Sequence, residues 1–347
     1  MSMLTMSLLF YRNAKIIICW PSLTLIKMWY VLKLHLFDSQ WSRFSGGSGA
    51  PLWTLYACGF DPKNFTITEA ALTHNFSKDP NNYPKMVWST NYHRLVSYTM
   101  FTLFFAGRKY APKAIINGVN IQDYLEDHYI SALQYLAQRI HDAGNLEDSV
   151  VIAWENINEP SIGYVGYTDL NKILDTQALR KTTCPTGFEC MLLGEGLPTT
   201  VDVYDFTSFG PKKTGRQLVD PLGTKAWLST DVYDKKYGWT RDPNWKLGQC
   251  IWEQHGVWDS RTQRLLRPDY FYRDSSGQFV NNDSWLQDHF MPHFKRYSDM
   301  VRSIHKNAIM FLQPPVLFVP PVLAQRDSRL VFAPHYYDGL TLLLKKW

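Results

Sequence analysis

The chain has 347 residues, of which 45% are hydrophobic and 19% are charged, as in an ordinary soluble globular protein. Its net charge of +5 is spread along the chain without a basic stripe, so nucleic-acid binding is not predicted, although a weak attraction to anionic lipid remains open. Five cysteines without CxxC or Cys/His ligand spacing argue against a zinc site and against a disulfide framework.

The first 30 residues are apolar and atypical. The uncharged run from Ile16 to Ile26 is too short for a membrane span and is interrupted by Pro21. The start also lacks the basic region and the small-residue cleavage site of a secretory signal. We therefore predict a cytoplasmic protein, with a membrane-peripheral or vacuolar location as alternatives, and separate residues 1–30 from a catalytic region at 31–347.

The next segments alternate between strand and helix patterns. Residues 29–34 predict a strand, and residues 45–51 predict a flexible or tightly turned loop over a pocket. The apolar run from Tyr98 to Ala106 predicts a helix. A second helix is predicted to begin at the N-cap Asn120, to have apolar residues at helical spacing and to stop at Gly144.

A strand is predicted to follow this helix and to end near Trp154, before Asn-Glu-Pro at 158–160. Residues 161–300 lack clear periodicity, and we predict a long irregular insertion there, including connections at 206–222 and 237–258. A helix returns near 285–305. Two more short strands are predicted at 308–312 and 330–333.

Strands separated by helices, with polar residues at their ends, predict an α/β fold of the (β/α)8 barrel type. A complete barrel needs eight strand–helix units, and only about four are recognisable. We therefore expect an incomplete TIM barrel with about strands three to six present. In such a fold the carboxyl ends of the strands form one active-site face.

Glu159 is the residue on which the functional prediction depends. Glycosidases generally place two carboxylates about the scissile bond, roughly 5 Å apart when configuration is retained. Glu159 follows a buried apolar strand and suits the role of general acid, while Asn158 beside it could bind a sugar hydroxyl. Taken alone, Asn-Glu-Pro could also be only a strand-ending turn.

His335 and Tyr337 stand at the end of a later predicted strand. Either side chain could bind a sugar hydroxyl or orient a carboxylate. A single histidine at such a position is more often structural, so the catalytic interpretation depends on its pairing with Glu159.

These motifs resemble glycoside hydrolase family 5, in particular its fungal branch related to endoglycoceramidase, which acts on glucosylceramide and steryl glucosides. Longer stretches carry the resemblance over roughly residues 41–347. They are Trp-Ser-Arg-Phe-Ser-Gly-Gly-Ser-Gly-Ala-Pro at 41–51, Gly-Val-Asn-Ile-Gln-Asp-Tyr-Leu at 118–125, Tyr-Asp-Phe at 204–206, Ser-Phe-Gly-Pro at 208–211, His-Gly-Val-Trp at 255–258, Leu-Arg-Pro-Asp-Tyr-Phe at 266–271 and Gln-Pro-Pro-Val at 313–316.

The resemblance implies a retaining mechanism that uses no metal and no cofactor. Glu159 would be the acid/base after strand four and Asn158 its sugar-binding neighbour. His335 and Tyr337 would match the family's His-x-Tyr after strand six. The implied partner is a glycolipid, a glucosylated sterol or ceramide, with peripheral membrane contact and an oligomeric state that the sequence leaves open.

Three departures from the family pattern bear on activity. The family's nucleophile is a glutamate after strand seven in a Gly-Glu-x-Gly context, and we expect it to be absent from this chain. A His-Gln-Asp group is replaced by residues 37–39, Phe-Asp-Ser, and the first two strand–helix units have no match in residues 1–30. The expected C-terminal β-sandwich is also missing.

We therefore predict a β-glucosidase that is truncated and inactive as this chain, because the glycosyl-enzyme intermediate needs the nucleophile. Two alternatives remain open. One is a non-catalytic glycolipid-binding remnant, and the other is an unstable product whose half-barrel exposes sheet edges.

Overall fold

The computed structural model describes residues 30–33, 40–74, 79, 81, 86–207, 209–274 and 276–335. Its strands are, in chain order, β1 (Tyr30–Lys33), β2 (Ile115–Ile116), β3 (Val119–Asn120), β4 (Val151–Glu155), β5 (Thr182–Cys184), β6 (Thr199–Thr207), β7 (Gly210–Val219), β8 (Trp258–Asp259), β9 (Arg264–Leu265), β10 (Ile309–Leu312) and β11 (Leu330–Phe332). Its α-helices are α1 (Trp53–Ala57), α2 (Leu95–Tyr110), α3 (Ile121–Asp142), α4 (Gly187–Gly194), α5 (Val232–Tyr237), α6 (Ile251–Gln254), α7 (Asn282–Trp285) and α8 (Met291–Ile304). Short 3₁₀ turns lie at Pro62–Asn64 and Thr90–His93, and a π-helical turn at Leu286–Phe290 joins α7 to α8.

The main sheet is parallel and has the order β1-β4-β10-β11, which is also the order of these strands along the chain. Trp154 in β4 lies between Leu32 of β1 and Met310 of β10 in the register. The connections from β1 to β4 and from β4 to β10 contain helices, whereas the described connection from β10 to β11 at 313–329 contains none. Parallel neighbours joined mainly in this way define an α/β fold. The predicted strands at 29–34, 308–312 and 330–333 correspond to β1, β10 and β11. Closure into a barrel stays a prediction.

The two predicted helices before β4 are confirmed. The run from Tyr98 to Ala106 lies within α2, and α3 begins after Asn120, whose side chain accepts a hydrogen bond from the Gln122 amide at 3.0 Å. This cap satisfies a backbone N–H that the first helical turn cannot. α3 ends at Asp142, and Gly144 then has a φ of +66°, a conformation that glycine adopts without strain. α3 packs against α2 and α8.

Most of the described residues within 206–222 belong to an ordered hairpin, so the prediction of an irregular connection there is wrong. β6 and β7 pair antiparallel from Thr199 with Val219 to Thr207 with Gly210, and β5 adds a third strand beside β6. Residues 212–218 of β7 are all exposed. A strand that buries neither face has no apolar alternation, so its sequence looks like a loop.

The loop at 45–51 is tightly turned. The Ser45 hydroxyl donates to the Gln40 carbonyl at 2.5 Å, and the Ser42 hydroxyl donates to the Ala50 carbonyl at 2.8 Å. Gly46 has a φ of +96° and a Cβ there would collide with the side chain of Asn91, so the turn requires glycine. Beside it Trp41 is fully buried and donates to the Thr54 hydroxyl at 2.9 Å.

The aromatic residues largely form the core. Five tryptophans are at most 1% exposed, and rings from α2 pack edge to face against rings from α7 and α8. The five are Trp41, Trp154, Trp252, Trp258 and Trp285. In the part of the chain that the structure describes, every helix is too short or too polar to span a bilayer.

Candidate active site

Glu159 lies in the irregular segment that follows β4, four residues beyond the end of the strand at Glu155. The residue is only 6% exposed, and its φ of +44° lies in the left-handed region. A residue with a Cβ adopts this backbone at some energetic cost, and such conformations concentrate at functional sites. The chain therefore turns sharply at Glu159, at the carboxyl edge of the sheet.

His335 joins Glu159 from the far strand of the sheet. It follows β11, and its Nδ1 lies 2.6 Å from Glu159 Oε1, within hydrogen-bonding distance. Its side chain is 21% exposed. The sequence suggested that His335 pairs with Glu159, and the two side chains are in direct contact. A carboxyl group that is hydrogen-bonded to an imidazole can donate and accept a proton.

A second carboxylate, that of Glu155, lies on the other side of the same imidazole. Its Oε1 is 4.0 Å from His335 Nε2, and its side chain is 6% exposed. The imidazole therefore stands between the two carboxylates. Glu155 and Glu159 thus each approach a different nitrogen of the same ring.

Gln313, at the end of β10 and fully buried, ties the two glutamates together. In the amide orientation that satisfies its neighbours, its oxygen accepts a hydrogen bond from the Glu159 N–H at 2.8 Å. Its nitrogen donates to Glu155 Oε1 at 3.1 Å and to the carbonyl of Ile157 at 3.2 Å. Gln313 thereby supports the strained turn at Glu159 from the neighbouring strand.

Two buried tyrosines hold the end of β4 from the helix layer. Tyr297 of α8 donates to the Glu155 carbonyl at 3.0 Å, and Tyr129 of α3 donates to the Asn156 carbonyl at 2.9 Å. Burial raises the pKa of both phenols, and the Glu155 carboxylate raises it further. Both phenols therefore stay neutral donors, and they fix the backbone from which Glu159 projects.

Asn158 is 9% exposed and directly precedes Glu159. Its predicted contact with a sugar hydroxyl stays a prediction. Asn156, two residues earlier, is fully buried, and neither atom of its side-chain amide has a partner among the described residues. Tyr337 lies outside the described residues.

Sequence reasoning missed Glu155 and Gln313 as members of this cluster. Glu155 is the last residue of a strand that was predicted to end at Trp154, and Gln313 directly follows the predicted strand at 308–312. A polar residue at the end of a buried apolar strand is the signal by which both could have been identified.

Comparison with known proteins shows that the chain is similar in sequence to fungal glucosidases. It is 54% identical over 311 residues to a glucosylceramidase of Aspergillus fumigatus, a match that covers 88% of this chain and 41% of that protein. It is 43% identical over 328 residues to the ergosteryl-beta-glucosidase of Saccharomyces cerevisiae, with 88% and 42% covered. The chain is a homologue of the fungal glucosylceramidases and steryl glucosidases.

A solved structure agrees with this homology. Crystalline sterylglucosidase 1 of Cryptococcus neoformans superimposes with a TM-score of 0.83 at 47% identity, over 89% of this chain and 44% of that protein. No family model matches the chain. The resemblance to the fungal glucosylceramidase and steryl-glucosidase branch is confirmed. The chain spans less than half the length of these homologous glucosidases.

Proposed function

We propose that this chain forms the acid/base half of a retaining β-glucosidase site that acts on glucosylated lipids, either a steryl glucoside or glucosylceramide. The observation that carries the proposal is the contact between Glu159 and His335 at the carboxyl edge of a parallel sheet. The names of the homologous proteins supply the substrate class. The sheet would be about strands three to six of a (β/α)8 barrel.

In this mechanism Glu159 donates its proton to the glycosidic oxygen as the bond to the lipid breaks, and later takes a proton from the attacking water. His335 shares the proton of Glu159 and orients its carboxyl group. Asn158 would bind a sugar hydroxyl. Tyr337 would contact the sugar or the carboxylate that acts as the nucleophile. The protein would meet its substrate at a membrane surface; the cytoplasmic location stays a prediction.

The nucleophile has no assigned residue in this mechanism. Glu155 is the other carboxylate beside His335, but the His335 ring lies between it and Glu159. We therefore propose that the 347-residue chain alone binds the glucoside and does not release glucose, because the covalent intermediate does not form.

The test combines binding with two measures of chemistry. Ergosteryl β-glucoside and glucosylceramide are titrated onto the purified chain in detergent, with the free sterol and ceramide as controls, and glucose release is followed in parallel. A 2-deoxy-2-fluoro-β-glucosyl inhibitor then reports any nucleophile as a covalent adduct by mass spectrometry.

We expect binding of at least one glucoside in preference to its free lipid, no glucose release and no adduct. Failure to distinguish the glucosides from the free lipids would overturn the proposed glucose site. Glucose release or an adduct on a carboxylate would leave the glycosidase proposal standing, would overturn the proposed inactivity and would identify the nucleophile.

A further inference from the structure

The hairpin of β6 and β7 extends beyond the part of the sheet in which β5 is the third strand. β5 pairs with β6 only from Asp202 to Tyr204, so beyond Tyr204 the described part of the hairpin, residues 205–207 and 209–212, is a two-stranded ribbon. We call this ribbon and the pair at its base, Tyr204 and Lys213, the finger. A two-stranded ribbon of this kind gains little stability from its own burial and is held by the element that anchors it.

The tip of the finger is aromatic and exposed. Phe209 has a relative exposure of 103%, the highest among the large hydrophobic residues of the described chain, and Phe206 on the facing strand is half-buried. A single exposed apolar residue is common on protein surfaces. A fully exposed phenylalanine at the end of a two-stranded ribbon is less common, because it contributes nothing to the core.

Basic residues lie at the base of the finger. Residues 180–181 and 199–219 together contain five arginines and lysines against two aspartates, an excess of three positive charges. Both aspartates are already paired, Asp202 with Lys213 at 2.6 Å and Asp205 with Lys181 at 2.9 Å. Lys212 is exposed and forms no ion pair with any residue that the structure describes. The finger therefore combines an apolar tip with a net positive base.

The finger belongs to the segment that leaves the main sheet beyond Glu159. The chain passes from the carboxyl end of β4 through this segment before it returns to the sheet at β10. Connections that leave the carboxyl ends of parallel strands begin on the face that carries the active site in α/β folds. The finger therefore belongs to the same connection as Glu159.

We propose that the finger is a membrane-docking element, whose Phe209 enters the interface of an anionic lipid bilayer while Lys212 and its basic neighbours contact the headgroups. Apolar burial and electrostatic attraction to anionic lipid add in such peripheral binding. The choice of a lipid surface rests in part on the proposed glycolipid substrate, whereas the apolar and basic features of the finger do not.

The test is sedimentation of the 347-residue chain with vesicles of phosphatidylcholine, with and without phosphatidylserine, neither of which contains a glycolipid. We expect binding to the anionic vesicles that weakens as salt is raised. Phe209→Ser is expected to lower the partition coefficient about tenfold, the effect of withholding one phenylalanine from an apolar environment. Lys212→Glu combined with Lys213→Glu should remove the preference for phosphatidylserine.

Tyr135→Ser is the matched control, since Tyr135 is 70% exposed on α3 and lies outside the finger. Its binding should equal that of the unchanged protein. Absence of binding to anionic vesicles, or equal binding by the Phe209→Ser and Tyr135→Ser variants, would overturn the proposal. Because these vesicles contain no glucoside, the result is independent of the proposed hydrolase function, which glucoside titration tests separately.

Discussion

Glu159 is held in place by contacts from three strands of the main sheet. Its own segment follows β4, Gln313 reaches its backbone N–H from β10, and His335 reaches its carboxyl group from β11. A catalytic carboxyl group gains from such support because the productive geometry exists before substrate arrives. The left-handed backbone conformation of Glu159 costs free energy, and these contacts stabilise it.

Glu155 is predicted to stabilise this arrangement through hydrogen bonding more than through charge. Glu155→Gln keeps an acceptor for the Gln313 amide, whereas Glu155→Leu leaves a buried donor with one partner fewer. We expect the leucine variant to lose about 2 kcal/mol of unfolding free energy and the glutamine variant less than half of that. Urea denaturation measures both, and equal losses would show that Gln313 does not depend on Glu155.

The residues of this cluster were predictable only in part. Glu159 and His335 were found because each belongs to a motif with a chemical meaning. Gln313 and Glu155 act through hydrogen bonds between neighbouring strands, and the register that brings them together is not visible in one sequence. Pairing of β4 with β10 had to be observed before their role could be inferred.

At the scale of elements, a buried ion pair anchors the three-stranded sheet to the helices. Arg94, which caps the start of α2, is 1% exposed and bonds to Glu69 at 2.5 Å and to the Thr183 carbonyl of β5 at 2.6 Å. Burial alone would lower the pKa of Arg94, but the Glu69 carboxylate raises it above its ordinary value. This contact ties β5, and with it the finger, to the main fold.

Arg94→Met is predicted to destabilise the protein by about 3 kcal/mol, because it leaves the Glu69 carboxylate without its cation in a largely buried site. Adding Glu69→Gln should restore part of the loss, since the uncompensated charge is then removed as well. Thermal or urea unfolding of the two variants provides the measurement. A double variant that is no more stable than Arg94→Met would contradict this account of the pair.

Elements with strong local signals were the predictable ones. α3 has a cap, apolar spacing and a terminal glycine, and β4 is a continuous apolar run, so both could be located from sequence. The hairpin of β6 and β7 has none of these signals, since residues 212–218 of β7 are all exposed. Tertiary pairing, which sequence alone does not reveal, defines it.

For the whole molecule, buried histidines should make stability depend on pH. Burial, together with the charge of the nearby Lys109, lowers the pKa of His289 from 6.5 to about 4, and His289 is 9% exposed. Between these two values the unfolded chain binds a proton that the folded chain does not. Stability should therefore fall as pH is lowered through this window.

The contribution of His289 is about 2 kcal/mol between about pH 7 and pH 5, when the two pKa values are inserted in the linkage relation. We expect the variant His289→Gln to lose less stability over this range than the unchanged protein, by about that amount. His128→Gln, which alters an exposed histidine of α3, is the control and should keep the original slope. Equal slopes in both variants would contradict a buried neutral His289.

The central claim is that Glu159 stands where the glycosidic oxygen of a glucoside would lie. An N-bromoacetyl β-glucosylamine tests it without turnover, because it places an electrophilic carbon at that position. The Glu159 carboxylate would displace bromide and form an ester, which mass spectrometry of peptides locates. We expect alkylation at Glu159. Added glucose should suppress this labelling, and the Glu159→Gln substitution should abolish it. Alkylation at a different residue, or labelling of equal extent in the Glu159→Gln variant, would contradict it.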